Sequence, residues 1–301
     1  MKTLVNTSLF PHLGGIIAGI NATYDHIEKW WESALAKAIT GAILVLTFLL
    51  AFTAIELGRH DLLPPFLLNA LPGNHFYAIS LAFTLLLYIE VIDLVFGLAE
   101  SMSKAVGRQF QIFSLILLRQ PFKEFSQFNE PIQWIDVVHA VPGIASNACG
   151  ALFIFAALAL YYRMIRHQPI TDSSENQILF ITAKKLISLA LLLAFAAIGI
   201  YYAATHLAGQ HGGQFFITFY TILIFSDILI VLLSLRYSSS FPVVFRNSGF
   251  ALATVALRLG LVAPVFFDAG IGAGAVLYVL GLTAVYNFFV SPLENKQQKG
   301  D

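Results

Sequence analysis

The chain has 301 residues, of which 58% are hydrophobic and only 11% charged, with a mean hydropathy of +0.77. That composition excludes an ordinary soluble globule, and its long repeated apolar stretches make lipid the solvent for most of the chain. The 17 acidic residues cancel the 17 basic ones, which leaves no bulk attraction for nucleic acid.

The first residues, MKTLVNTSLFPHLGG, carry one early lysine and then Pro11. They lack the compact apolar core and small-residue cleavage site of a signal peptide. Ile16, Ile20, Tyr24, Ile27, Trp31 and Leu35 then recur at three- and four-residue steps, with Asp25, Glu28, Lys29 and Glu32 between them. Residues 1–36 are therefore expected to form an amphipathic segment, whose Trp30–Trp31 pair suits a membrane interface. Packing against a bundle is the alternative reading of the same face.

Seven stretches are apolar enough to span: Lys37–Leu57, Phe76–Leu98, Gly143–Tyr162, Lys185–His206, Phe215–Leu235, Ser248–Phe267 and Ile271–Val290. Each holds roughly 20 residues, about 30 Å of helix. The single cysteine, Cys149, lies in the third of them; it permits no intrachain disulfide and reads as a small packing residue. An eighth stretch, Lys104–Phe125, is interrupted by Arg108 and Arg119 and on hydropathy alone reads as a surface or re-entrant helix.

Charge sidedness makes it a span. If it crosses and the N-terminus is cytoplasmic, Lys29, Lys37, Lys104, Arg108, Arg163, Lys184, Lys185, Arg236 and Arg246 all fall inside, while Arg59 and Lys123 fall outside. The positive-inside rule favours that arrangement. An internal repeat adds to it. Aligning LLLYIEVIDLVFGL (85–98) with ILIFSDILIVLLSL (222–235) sets Glu90 opposite Asp227. Beyond it, Ser101 and Ser103 meet Ser238 and Ser240, Arg108 meets Arg246 after a one-residue slip, and Arg119 meets Arg258 after another. Gly150–Tyr162 likewise matches Gly274–Tyr286.

The expected fold is thus all-α: a polytopic integral membrane protein of eight transmembrane helices built as two parallel four-helix repeats. The units are residues 37–166 and 184–291, joined by a cytoplasmic linker over 167–183 and followed by a polar tail over 292–301. The expected location is the cell membrane, with both termini cytoplasmic.

Arginines at bilayer depth are costly and need a partner. Arg258 is expected roughly 15 Å deep and Arg119 roughly 18 Å, with Asp227 and Glu90 each roughly 12 Å deep on the neighbouring helix. The expected pairs are Glu90 with Arg119 and Asp227 with Arg258, with Asp93 one turn below Glu90 and closer to Arg108. Such pairs either fix helix register or line a polar path for an ion or small solute. A voltage sensor is not expected, because Arg108, Arg119 and Lys123 do not supply several arginines at three-residue spacing on one helix.

Five of the eight histidines, His60, His75, His139, His206 and His211, are expected on the outer side. His60, His75, His206 and His211 take matching places in the two units and are the candidate metal ligands, although none has the compact spacing of a zinc motif. No histidine is mid-span, so no haem or other cofactor is expected. Gly270, Gly272 and Gly274, with Gly143 and Gly150 in the counterpart helix, mark close helix packing or a subunit interface.

The chain contains no Walker loop, no zinc-protease HExxH and no nucleophile elbow, so an enzyme is not expected. A transporter or channel for a small ion or polar solute is expected, with the bilayer and a homo-oligomer or membrane partner subunit as its associates. The alternative is a non-transporting anchor or assembly subunit whose buried pairs are structural.

Overall fold

A backbone without water for its polar groups can build only helices or a closed barrel, and the apolar runs of this chain build helices. The computed structural model describes residues 11–62, 64, 73–124, 128, 130–165, 174–207, 215–237 and 240–297. Its long helices are α1 (Pro11–Glu32), α2 (Ala34–Arg59), α3 (Phe76–Gly97), α4 (Met102–Glu124), α5 (Val141–Met164), α6 (Ser174–Leu207), α7 (Phe215–Tyr237), α8 (Phe241–Val262) and α9 (Phe267–Gln297). A single further helical turn lies at Trp134–Val137, and the described residues include no strand. By length and composition six helices can cross a membrane: α2, α3, α5, α6, α7 and α9. The chain is a multi-pass helical membrane protein.

The two remaining long helices of the bundle, α4 and α8, are the most enclosed. Val106, Phe110, Phe113 and Leu117 of α4 meet Phe250, Ala253 and Leu257 of α8 in one apolar core. A helix that carries charge is tolerated at depth when it faces the bundle interior. Around them each helix from α2 to α5 packs on the next, as does each from α6 to α9. The two runs meet through α4 on α8, α5 on α9, α4 on α9 and α3 on α6. By contrast α2 sits at the periphery, with only Ala36 and Ile55 buried.

Side-chain contacts fix which helix ends lie together. Tyr161 donates to the Ser103 carbonyl at 2.8 Å, Asn287 to the Met164 carbonyl at 2.8 Å, and Ser188 to the Val95 carbonyl at 3.1 Å. This end carries Lys104, Arg108, Arg163, Lys184, Lys185 and Arg246, and is called the basic end below. The opposite end carries Arg59 and His75.

Helix α1 packs on the bundle. Asn21 donates to Thr182 at 3.0 Å, Lys185 pairs with Asp25 at 2.6 Å, and the fully buried Tyr24 donates to the Phe96 carbonyl at 3.0 Å. Burial first, and then the Glu28 carboxylate, push the Tyr24 phenol above its usual range. Trp31 turns inward onto Phe96 with ring centroids 6.0 Å apart, while Trp30 stays 57% exposed. One side of the amphipathic helix thus packs on the bundle. Ser33 separates α1 from α2, its Oγ accepting from the Ala36 N–H at 3.1 Å as an N-cap.

Several expected boundaries move. Helix α8 begins at Phe241 and ends at Val262, where Ser248–Phe267 was expected. Pro242 fits a helix start and Pro264 cannot continue one; Phe266, with φ of 76°, turns the chain into α9. Helix α6 begins at Ser174, so part of the expected linker is helical, and α9 runs to Gln297 through part of the expected tail. Cys149 is exposed rather than packed. Its neighbour Gly150 does the packing: a Cβ there would come within 2.7 Å of Ala269. Gly272 is likewise closed by Phe113, whereas Gly270 and Gly274 have open space beside them.

Candidate functional site

Because α4 and α8 begin at the basic end, Arg119 and Arg258 each lie nearly five turns along, roughly 25 Å from the helix start. This is farther than expected for both, most of all for Arg258, whose helix starts earlier than its hydropathy implied. Long side chains on a helix lean toward its N-terminus. Both guanidinium groups therefore lean back along their helices toward the carboxylates of α3 and α7.

Arg119 Nη1 pairs directly with Glu90 Oε1, the arginine side chain 30% exposed and the glutamate 8%. The pair borders a cleft of about 250 Å³ between α3, α4, α7 and α8. Phe83, Ile116, Gln120, Phe216, Tyr220 and Leu261 form much of its wall. Phe216 opens α7 and Leu261 closes α8, so the cleft belongs to the histidine end, with Glu90 toward its floor.

The second pair is enclosed. Arg258 Nε stands 3.6 Å from Asp227 Oδ2, with side-chain exposures of 1% and 4%. That separation is too long for a hydrogen bond, and Asp227 Oδ2, Arg258 Nε and Arg258 Nη2 have no other partner. Beside Asp227 lies a cavity of about 20 Å³ lined by Gln109 and Thr254 among apolar neighbours. Gln109 is 1% exposed and its Oε1 has no hydrogen-bond partner. A space of that size takes one water molecule, the species that bridges polar groups held slightly too far apart. The buried Tyr220 belongs to both regions, lining the cleft and interacting electrostatically with Arg258.

Asp93 stands within electrostatic reach of Arg108 but is not its ion-pair partner. The Trp31 indole donates to Asp93 Oδ1 at 2.7 Å. Arg108 instead meets Glu100 at 2.5 Å and Glu32 at 3.3 Å. Glu100 lies just before α4, and the docking of α1 brings Glu32 alongside.

At the histidine end, Glu56 lies 3.3 Å from His60 Nε2 and 2.8 Å from His75 Nε2. Glu130 lies 3.1 Å from His75 Nδ1, accepts the His75 backbone N–H at 3.0 Å and meets Arg59 at 2.6 Å. Burial acts to raise the Glu130 pKa, but His75 and Arg59 outweigh it and hold the carboxyl below its ordinary range. His60 and His75 are thus drawn together on Glu56, while the His206 side chain and His211 lie outside the described residues. Among the described residues no cluster of three or more histidines, cysteines and carboxylates is placed to hold a metal. Their carboxylates bind histidine and arginine instead.

Sequence reasoning passed over Glu130, Gln109, Tyr220 and Thr254. Glu130 carried no spacing signal, being a loop residue before Pro131. Gln109 did carry one, since it follows Arg108 as Asn247 follows Arg246. It also missed the pair at the starts of α5 and α9, where the Asn147 amide donates to both Asp268 carboxylate oxygens at 3.2 Å. No protein-family model, curated protein or solved structure matches the chain, so its function has to be argued from this geometry.

Proposed function

We propose that the chain is a transporter or channel for a small ion or polar solute, built from two parallel four-helix repeats that cross the cell membrane eight times. In this reading α2 to α5 form the first repeat and α6 to α9 the second, and the basic end is cytoplasmic. The matched packing of successive helices and the concentration of lysine and arginine at one end support it. Glu90 and Asp227 carry the ion or proton, and Arg119 and Arg258 balance them. Arg108 is a positioning residue at the cytoplasmic end, and Asp93 anchors α1.

The observation that carries the reading is the contrast in access: Glu90–Arg119 borders a cleft, whereas Asp227–Arg258 is closed. An intramembrane acid–arginine pair that reaches a cleft marks a pathway for an ion or polar solute, and the closed pair is the deeper station that a rearrangement of its helices would have to open.

Flux in proteoliposomes tests this. A pH gradient and a panel of monovalent ions should give uptake above empty vesicles with the wild-type chain. Glu90→Gln should abolish it while still purifying as folded protein, and Asp227→Asn should abolish it in the fraction that remains folded. No flux under any gradient, or undiminished flux in both variants, refutes the proposal.

The peripheral position of α2 favours the second reading, an anchor or assembly subunit. Its exposed apolar residues, Ile39, Ile43, Leu46 and Leu50 among them, are all available to a partner helix. That reading predicts a fixed partner that co-purifies through α2, and no flux.

A further inference from the structure

Arg246, in the second turn of α8, is a buried cation for which the described residues provide no carboxylate. It is 4% exposed, its Nε has no hydrogen-bond acceptor, its Nη2 meets Asn247 Oδ1 at a long 3.5 Å, and its hydrogen bond with Tyr286 supplies a neutral partner rather than a counter-charge. The guanidinium lies over the Tyr286 ring at 4.5 Å. Asn247 is fully buried and its Nδ2 also lacks an acceptor. The cluster therefore has donors in surplus, and its stable complement is an anion. Arg108, the residue that aligns with Arg246, has two carboxylates, Glu100 and Glu32. A buried charge left without its counter-charge is strongly destabilising, so the same place in the second half calls for a counter-ion from outside the chain.

A groove of about 140 Å³ runs beside Arg246 between α8 and α9, walled by Phe241, Phe245, Leu282, Val285, Tyr286 and Phe289. Its outer walls face away from the bundle, with Phe241 71% and Val285 61% exposed. An apolar channel on the lipid face suits an acyl chain and offers nothing to a hydrated ion. We propose that the groove binds an anionic phospholipid, the acyl chain lying along α8 and α9 and the phosphate serving as counter-ion to Arg246. Basic pockets between helices at one membrane face are a recognised mode of headgroup capture. The inference needs the bundle to lie in a membrane and does not depend on transport.

Native mass spectrometry of the full-length protein in a neutral detergent provides the test. The probes are phosphatidylglycerol, phosphatidylcholine with the same acyl chains, and inorganic phosphate. The wild type should prefer phosphatidylglycerol about fivefold, the scale of one basic residue at an anionic surface. Arg246→Gln should remove the preference but keep residual binding of both lipids. Val285→Trp, which fills the groove and leaves Arg246 in place, should weaken both lipids and decides the matter if the arginine variant does not fold. Equal binding of the two lipids by the wild type overturns the proposal, as does a preference that survives Arg246→Gln or full binding by Val285→Trp. Displacement of phosphatidylglycerol by inorganic phosphate would make this a free-anion site and overturn it too.

Discussion

The pairs Glu90–Arg119 and Asp227–Arg258 each join a carboxylate to an arginine on the following helix, yet they live in different surroundings. The first borders a cleft, with Arg119 30% exposed. The second is enclosed, at 1% and 4%, with only a cavity of about 20 Å³ beside it. The same two charges therefore do different physical work. In the cleft, solvent can stabilise either partner alone, so the pair can break at low cost. In the closed half each charge depends on the other, and breaking the pair strands a charge among apolar side chains.

The largest effect should come from stranding that charge. Asp227→Asn or Arg258→Gln alone should lower stability by about 3–5 kcal/mol, the cost of an uncompensated buried partner. The double variant should recover most of the loss, because two neutral amides need no counter-charge. Denaturant titration in detergent micelles measures all three, and a double variant as unstable as the sum of the singles would mean that the charges do not interact.

Packing keeps the second pair closed, and Phe113 is central to that packing. Its ring is pressed between Gly260, half a turn beyond Arg258, and Gly272 of α9. Gly272→Ala should displace the ring and cost about 1–3 kcal/mol as overpacking. It should also make a cysteine placed at Ala256 more reactive to a membrane-permeant thiol reagent, in a background where the exposed Cys149 has been replaced. Unchanged stability and reactivity would show that the seam tolerates an added methyl group.

Glu90→Gln is the counterpart to Asp227→Asn and should be mild in stability, about 1 kcal/mol or less, because Arg119 keeps access to the cleft. Equal costs for the two substitutions would erase the distinction between the open and closed halves.

Much of this arrangement is legible in the sequence because charges inside apolar runs are rare enough to be aligned. Glu90, Asp227, Arg119 and Arg258 stand out for that reason, and their order predicts which acid meets which base. What the letters do not carry is access. The closed state of Asp227–Arg258 depends on Phe113, Gly260 and Gly272, which come together from three helices. The open state of the other pair depends on the cleft that the histidine-end turns of α3, α4, α7 and α8 leave between them. Hydropathy does not mark helix ends where proline sets the boundary, as at Pro242 and Pro264. Helical depth places Asp93 toward Arg108 but cannot register that α1 returns to the bundle and brings Glu32 to that arginine.

The smallest effect is expected at the clamp of Arg59, His75, Glu56 and Glu130, which ties α2, α3 and the segment after α4 at the histidine end. It holds the helices of the open pair. Glu130 is the group to follow, because its partners hold its pKa below the ordinary carboxylate range. A depressed carboxylate pKa contributes stability that is fully present above the unfolded-state value and is lost as pH falls through the folded-state value. Glu130→Gln removes that contribution at every pH. The wild type should therefore exceed the variant by a few tenths of a kcal/mol near neutrality, the scale of a solvent-screened pair. The difference should shrink toward zero on acidification below the usual carboxylate range. Thermal unfolding in detergent across that pH range measures it. A difference that persists into acid would assign the clamp's strength to shape and neutral hydrogen bonds, and the open half would then owe nothing there to ionisation.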